Sequence, residues 1–153
     1  MGIAKQHAPV KNRSRLETSA GMKAADGCAK EVANLVRTLY ERLGGRSGIA
    51  AIVNDLVDLH LENPVIRARF VNSDANRLKE AATLFFCAGS GGGESYSGKG
   101  MLEAHHGMNI SEQEFMAVLD DAMAALEKQG VGQQEKMEVL FILHSMRKEV
   151  VRV

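Results

Sequence analysis

Apolar residues recur along this chain at helical spacing once about thirty residues have passed. Val32, Leu35, Val36, Leu39, Tyr40 and Leu43 fall on one face, which predicts an amphipathic helix starting at Glu31. Gly44-Gly45 ends it, because glycine readily takes the backbone conformation of a helix C-terminus. A second stripe runs through Ile49, Ile52, Val53, Leu56, Val57, His60 and Leu61. Asn63-Pro64 stops that helix, since a residue before proline avoids the α region. Val65 to Phe70 reads as a connector with a helical turn. Ser73 or Asp74 can cap a third helix, whose apolar face is Leu78, Ala82, Phe85 and Phe86. The run Gly89-Ser90-Gly91-Gly92-Gly93 then breaks the chain.

Beyond that break, Met101, Ala104, His105 and Met108 share one face of a short predicted helix. Asn109-Ile110-Ser111 interrupts it, and Ser111 with Glu114 forms the signature of a capping box. The helix so opened carries Phe115, Val118, Leu119, Ala122 and Leu126, and Gly130 closes it. A last helix is predicted from about Gln133 to Val151. It carries Met137, Leu140, Phe141 and His144, with Val139, Ile142, Leu143 and Met146 widening its apolar face. A helix apolar over so much of its circumference is expected to be central. No stretch alternates convincingly as a strand, so the fold class is all-α.

Composition agrees with this reading. The 153 residues suit one domain, and 45% apolar content is enough for a core. Ala, Leu, Met, Glu and Lys dominate over β-branched and aromatic residues, as helices prefer. No apolar run reaches the roughly 18–20 residues of a transmembrane segment. The opening MGIAKQHAPVKNRSR lacks the apolar stretch of a secretory signal, so a cytoplasmic protein is expected. The charge of zero (19 basic against 19 acidic residues) disfavours nucleic acid as a partner. That zero is a cancellation. Residues 1–30 hold six Lys or Arg against two acids, a net of +4, which leaves −4 on residues 31–153. Residues 1–30 are therefore expected to be a basic, largely disordered or frayed extension, and residues 31–153 the folded domain.

Candidate chemistry narrows to one histidine. Cys28 falls in the extension and Cys87 on a helix that looks packed, and neither has catalytic spacing to a His. Gly89 to Gly93 follows a helix and lacks the Lys-Ser/Thr of a phosphate loop. His105 and His106 are adjacent and so point about 100° apart on a helix. Only His105 shares the face of Met101, Ala104 and Met108. A His so placed is either a satisfied core residue or a ligand. Zinc needs about four ligands, and no second one stands at helical spacing from His105. A haem iron needs one protein ligand and a large apolar pocket. His144 on the last helix reads as structural, and His7 in the extension carries no signal.

From about Val32 to Val151 the chain resembles group I truncated haemoglobins. Leu39-Tyr40-Glu41-Arg42-Leu43-Gly44-Gly45 is similar to the family's opening LYERLGG. Asn63-Pro64 through Phe70 resembles the corner that ends in a haem-contacting Phe. Tyr96 to Ile110 resembles the pattern Y-x-G-x-x-M-x-x-x-H-x-G-[LM]-x-I, in which the His is the proximal iron ligand. The resemblance assigns that role to His105. It implies a shortened, two-over-two helical globin around haem b that reversibly binds O2, CO or NO. Phe70 would pack on the haem near the corner, and Leu78 would take the distal gate. Phe86, Met101, Met108, Phe115 and Val118 would line the pocket, and Arg77 would meet a propionate.

Two departures stand out. Val57 occupies the position usually held by a distal Tyr, and Ala82, beside Ala81, the one often held by Gln. A distal donor to the diatomic ligand is worth about 1–3 kcal/mol. Its loss is expected to speed O2 release roughly ten- to a hundredfold. His60, one turn after Val57, is a candidate sixth ligand or a buried structural His. The resemblance further implies a reductase as redox partner, NO-detoxifying or peroxidase-like side activity without a dedicated catalytic constellation, and a monomer or weak homodimer. The alternative is a gas or redox sensor, or an electron-transfer module, that contacts a partner through residues 1–30.

Overall fold

The helix that contains Leu39 starts where the apolar stripe predicted it to be already under way. In the computed structural model, which describes residues 36–153, Thr38 is extended and caps helix α1, Leu39–Arg42. Its hydroxyl accepts from the Glu41 N–H, and the Glu41 carboxylate accepts from the Thr38 N–H. This reciprocal capping box breaks the single helix expected from Glu31 to Leu43. The expected extension, residues 1–30, with His7 and Cys28, lies outside the described residues, as does the segment 31–35.

Arg37–Val153 form one unit. Helix α2, Gly45–Glu62, buries Ile49, Ile52, Val53, Leu56, Val57 and His60, as the stripe predicts, but leaves Leu61 at the surface. Its entry is tight: a Cβ on Gly48 would lie 2.0 Å from the Leu43 carbonyl oxygen, so only glycine fits. A 3₁₀ turn, Arg67–Phe70, follows the Asn63-Pro64 stop. Asp74 rather than Ser73 caps α3, Ala75–Gly89, by accepting from the Asn76 and Arg77 N–H groups. Helix α4 is Met101–His105, and α5, Glu112–Lys128, opens on the expected Ser111–Glu114 capping box. The predicted last helix divides at Met146 into α6, Gln133–Ser145, and α7, Arg147–Val150. Among the described residues there is no strand, only an isolated bridge between Ile110 and Val151. No helix of the described residues is long and apolar enough to cross a membrane.

Helix α2 is the hub. It packs on α1, α3, the 3₁₀ turn and α5, while α5 packs on α6 and α4 on α7. The pair α2/α3 thus lies against the pair α5/α6, the expected two-over-two arrangement. The core divides into two clusters. One is built on α2 and reaches Cys87, Ala122, Leu126 and Val139; the other gathers Ile110, Phe115, Leu119 and Val150. The prediction that the last helix is central is corrected. Within α6 only Glu135 and Val139 are buried, while Met137, Phe141 and His144 are exposed. Apolar content around a helix does not say how many neighbours it has. Here the packed elements leave one whole side of α6 uncovered among the described residues.

Two arginines tie the ends of this packing together. Arg42, its side chain 8% exposed, donates to Glu135 at 2.8 Å and to both oxygens of Glu138 at 2.9 and 2.5 Å, joining α1 to α6. Arg69 grips Glu114 through two nitrogens at 2.6 and 3.1 Å and donates to the Met108 carbonyl at 3.0 Å. That contact joins the 3₁₀ turn to the start of α5.

Arg42→Met is expected to destabilise by about 3–5 kcal/mol, because it strands buried Glu135 without a counter-charge; a lowered urea midpoint checks this. The Arg69 contact holds the Glu114 carboxyl down at about 2, against an ordinary value of 4.5, with the Ser111 backbone N–H helping. A depressed carboxyl stabilises the fold above its unfolded value and loses that contribution as pH falls toward its folded value. The stability gap between wild type and Arg69→Met should therefore be full at pH 6. It should shrink as pH falls from about 4.5 to about 2, as urea titrations at each pH will report.

Candidate functional site

His105 ends the five-residue helix α4, with its ring half-buried. Its Nδ1 lies 2.8 Å from the Met101 carbonyl oxygen. A carbonyl only accepts, so Nδ1 carries a proton, and in the neutral ring the lone pair is on Nε2. That is the ligating form of the ring: metal-bound histidines commonly donate their other N–H to a backbone carbonyl or carboxylate. His106 is exposed, as its position off the apolar stripe predicts. Ala104 is exposed as well, although the stripe places it on the predicted apolar face.

The chain beyond His105 is fixed from two sides. Gly107 turns it with φ +79°, a conformation that favours glycine. The Gly107 N–H donates to the Val153 carbonyl and the Arg152 N–H to the Ile110 carbonyl, both at 3.0 Å. From the other side comes the Arg69 guanidinium on Met108. Ahead of α4, the glycine-rich loop is held by Tyr40. The Tyr40 N–H donates to the Ser90 carbonyl at 2.9 Å and its hydroxyl to the Glu94 carboxylate at 2.8 Å. The bond to Glu94 pushes the Tyr40 hydroxyl above its ordinary pKa.

The expected pocket residues fall into two groups. Val57 is buried in the α2 cluster, with Leu78, Ala82 and Phe86 half-buried against it. Phe115 is buried in the second cluster, with Met101 and Met108 half-buried against it. Leu143 packs on both clusters, and Val118 on α5 is half-buried. Arg77 stands apart and exposed, in a cleft of about 280 Å³ that it shares with Ala81, Leu84 and Tyr96. A smaller apolar cleft, about 110 Å³, opens where Phe85 and Phe86 face Val139, Ile142 and Leu143. His105 lines neither cleft.

His60 is buried, and its Nδ1 lies 2.8 Å from the Asp121 carboxylate on α5. The other Asp121 oxygen accepts from the Asn63 side chain at 2.9 Å. The ring of Phe70, which ends the 3₁₀ turn, stacks on the imidazole at 5.6 Å and 14°. Burial lowers the His60 pKa, with Asp121 opposing. Asp121 and Asn63 are not among the sequence-predicted site residues. A signal was available: Asp121 keeps register with buried Ala117 and Ala125, and an acid on an apolar face needs a partner.

The donor set fits haem. It offers one imidazole whose Nδ1 is engaged by a backbone carbonyl, on a short helix whose Met101, with Met108 after it, packs on the second apolar cluster. Among the described residues, no three His, Cys, Asp or Glu side chains converge as a bare metal ion would require. The Cys87 thiol is fully buried and pushed up by that burial, which leaves it a poor nucleophile.

Known proteins point the same way. The sequence model of the family described as bacterial-like globin matches residues 38–152. A group 1 truncated hemoglobin from Tetrahymena pyriformis is 30% identical over 118 residues, covering 77% of this chain and 98% of its own. The group 1 truncated hemoglobin GlbN of Synechocystis sp. is 32% identical over 108 residues, covering 67% and 86%. Among solved structures, the Fe(III) form of the Tetrahymena pyriformis protein superposes with a TM-score of 0.73, covering 76% of this chain and all of its own at 30% identity. The 2/2 hemoglobin of a Synechococcus species, in the cyanomet state with covalently attached heme, gives 0.71 at 25% identity, covering 75% and 98%. The chain therefore belongs to the bacterial-like globin family, with the two-over-two fold of the group 1 truncated haemoglobins.

Proposed function

We propose that the chain binds haem b through His105 and reversibly takes up a small diatomic gas on a side of the pocket poor in hydrogen-bond donors. The observation that carries this reading is the bond from His105 Nδ1 to the Met101 carbonyl, which leaves Nε2 as a fixed lone pair. When bound, haem b supplies an iron whose open position takes O2, CO or NO. The chain's own residues bind and shelter it. Met101, Met108, Phe115 and Val118 give the His105 side an apolar wall. Val57, Leu78, Ala82 and Phe86 give the opposite side another, and Phe70 covers the corner between them. Arg77, exposed beside Tyr96, offers a guanidinium to a propionate at the rim.

The distal wall decides ligand preference. Val57 is buried in the core and Ala82 is half-buried against it, and neither side chain has a polar atom. A polar ligand such as O2 gains nothing there from hydrogen bonding, while CO loses little. Fast O2 release suits transient binding or redox exchange better than storage. Redox cycling would draw electrons from a reductase.

Two experiments bear on this. Haem reconstitution of the full chain should give a Soret band and, in the ferrous state, an iron–imidazole stretch. His105→Gly should lose that stretch and regain it with added imidazole; an unchanged spectrum in the variant overturns the assignment. Separately, Ala82→Gln should restore a distal donor and slow O2 release roughly tenfold or more while changing CO release little, as flash photolysis will measure.

A further inference from the structure

His60 is held too firmly, and from too many sides, to serve as a swinging ligand. Asp121 accepts the Nδ1 proton at one edge of the ring. Asn63 locks the other oxygen of the same carboxylate and, through its own Oδ1, accepts from the Val65 N–H at 3.0 Å. The imidazole face is covered by the Phe70 ring. Moving His60 out would break a buried charge-assisted bond and leave the Asp121 carboxylate short of a donor. Phe70 has no comparable set of supports. It ends a four-residue 3₁₀ turn, is only half-buried, and the only aromatic ring stacked against it among the described residues is the imidazole.

We propose that His60, anchored by Asp121 and Asn63, is a positioning residue for Phe70. The array Asn63–Asp121–His60 is a polar brace that runs from α5 across α2 to the corner. It fixes the one aromatic ring that the corner contributes to the haem pocket, and so governs how tightly haem is retained. This rests on the reading that Phe70 contacts haem. The brace itself is a property of the chain and exists without the cofactor.

The test uses the full chain with His60→Gln, His60→Phe and Asp121→Asn. Gln keeps a donor for Asp121 but has no ring. Phe keeps a ring against Phe70 but loses the bond. Asn cannot serve both His60 and Asn63 as the carboxylate does. Two readouts are needed: the NMR line shape and relaxation of the Phe70 ring in the haem-free chain, and the rate at which loaded protein surrenders haem to apomyoglobin.

His60→Gln and Asp121→Asn should broaden or shift the Phe70 ring signals and speed haem loss roughly tenfold, the scale of one lost stacked pair or one charge-assisted bond. His60→Phe, which keeps the stacked surface but loses the Asp121 bond, should speed haem loss less than His60→Gln. A role in global stability alone would make all three variants lose haem in proportion to their unfolding midpoints, with no separate response of Phe70, and would overturn the proposal. So would a ligand-free ferrous wild type with a six-coordinate spectrum that His60→Phe abolishes, because His60 would then be on the iron. If the wild type takes up no haem, the functional reading fails, and the Phe70 signals in the haem-free chain still decide whether the brace exists.

Discussion

The burial of one face of α2 is the constraint on which the rest of the Arg37–Val153 unit depends. Every layer touches it: α1 before, the 3₁₀ turn after, α3 along one flank and α5 along the other. Its residues at Ile49, Ile52, Val53, Leu56 and Val57 are nearly inaccessible to solvent. Because α3 leans mainly on this one helix, its remaining apolar side chains stay half-exposed. A fold that spends its best packing on one helix leaves broad apolar surfaces on its neighbours, which a large flat cofactor can cover.

Electrostatic contacts then sit at the joints. Arg42 fastens α1 to α6 across 93 residues of sequence, and Arg69 fastens the corner to the start of α5. The two sides of the proposed haem pocket are stiffened differently. On the His105 side the backbone does the work, through the Met101 carbonyl, the Gly107 turn and the bonds from the last residues. On the opposite side the support comes from side chains, the pair of His60 and Asp121 and the ring of Phe70. Backbone contacts survive most substitutions, whereas a side-chain pair can be changed one residue at a time. The proposed distal side is therefore the one that sequence change can tune most easily.

Much of this was legible from the residues. The α2 and α5 stripes, the Ser111–Glu114 cap, the Asn63-Pro64 stop and the separation of His105 from His106 all follow from periodicity and local chemistry. Three features did not. Thr38 and Glu41 form a cap within an apolar stripe, and the stripe hid the signal. The exposure of Phe141 and Met137 depends on which neighbours α6 has, and no local pattern encodes that. The pairing of His60 with Asp121 spans 61 residues. Each is a polar residue on the apolar face of its own helix, and only the crossing of α2 and α5 shows that the two satisfy each other. Side-chain partners at such range are set by packing geometry, whereas caps and turns are set within four residues.

The contacts of residues 151–153 have a consequence for the site. Val151 bridges Ile110, Arg152 takes a left-handed conformation to donate to the Ile110 carbonyl, and Val153 receives the Gly107 N–H. Residues 151–153 are thus stitched to the turn immediately after His105. Strain arising at residues 151–153 would therefore reach the segment beside the imidazole through a single hydrogen bond.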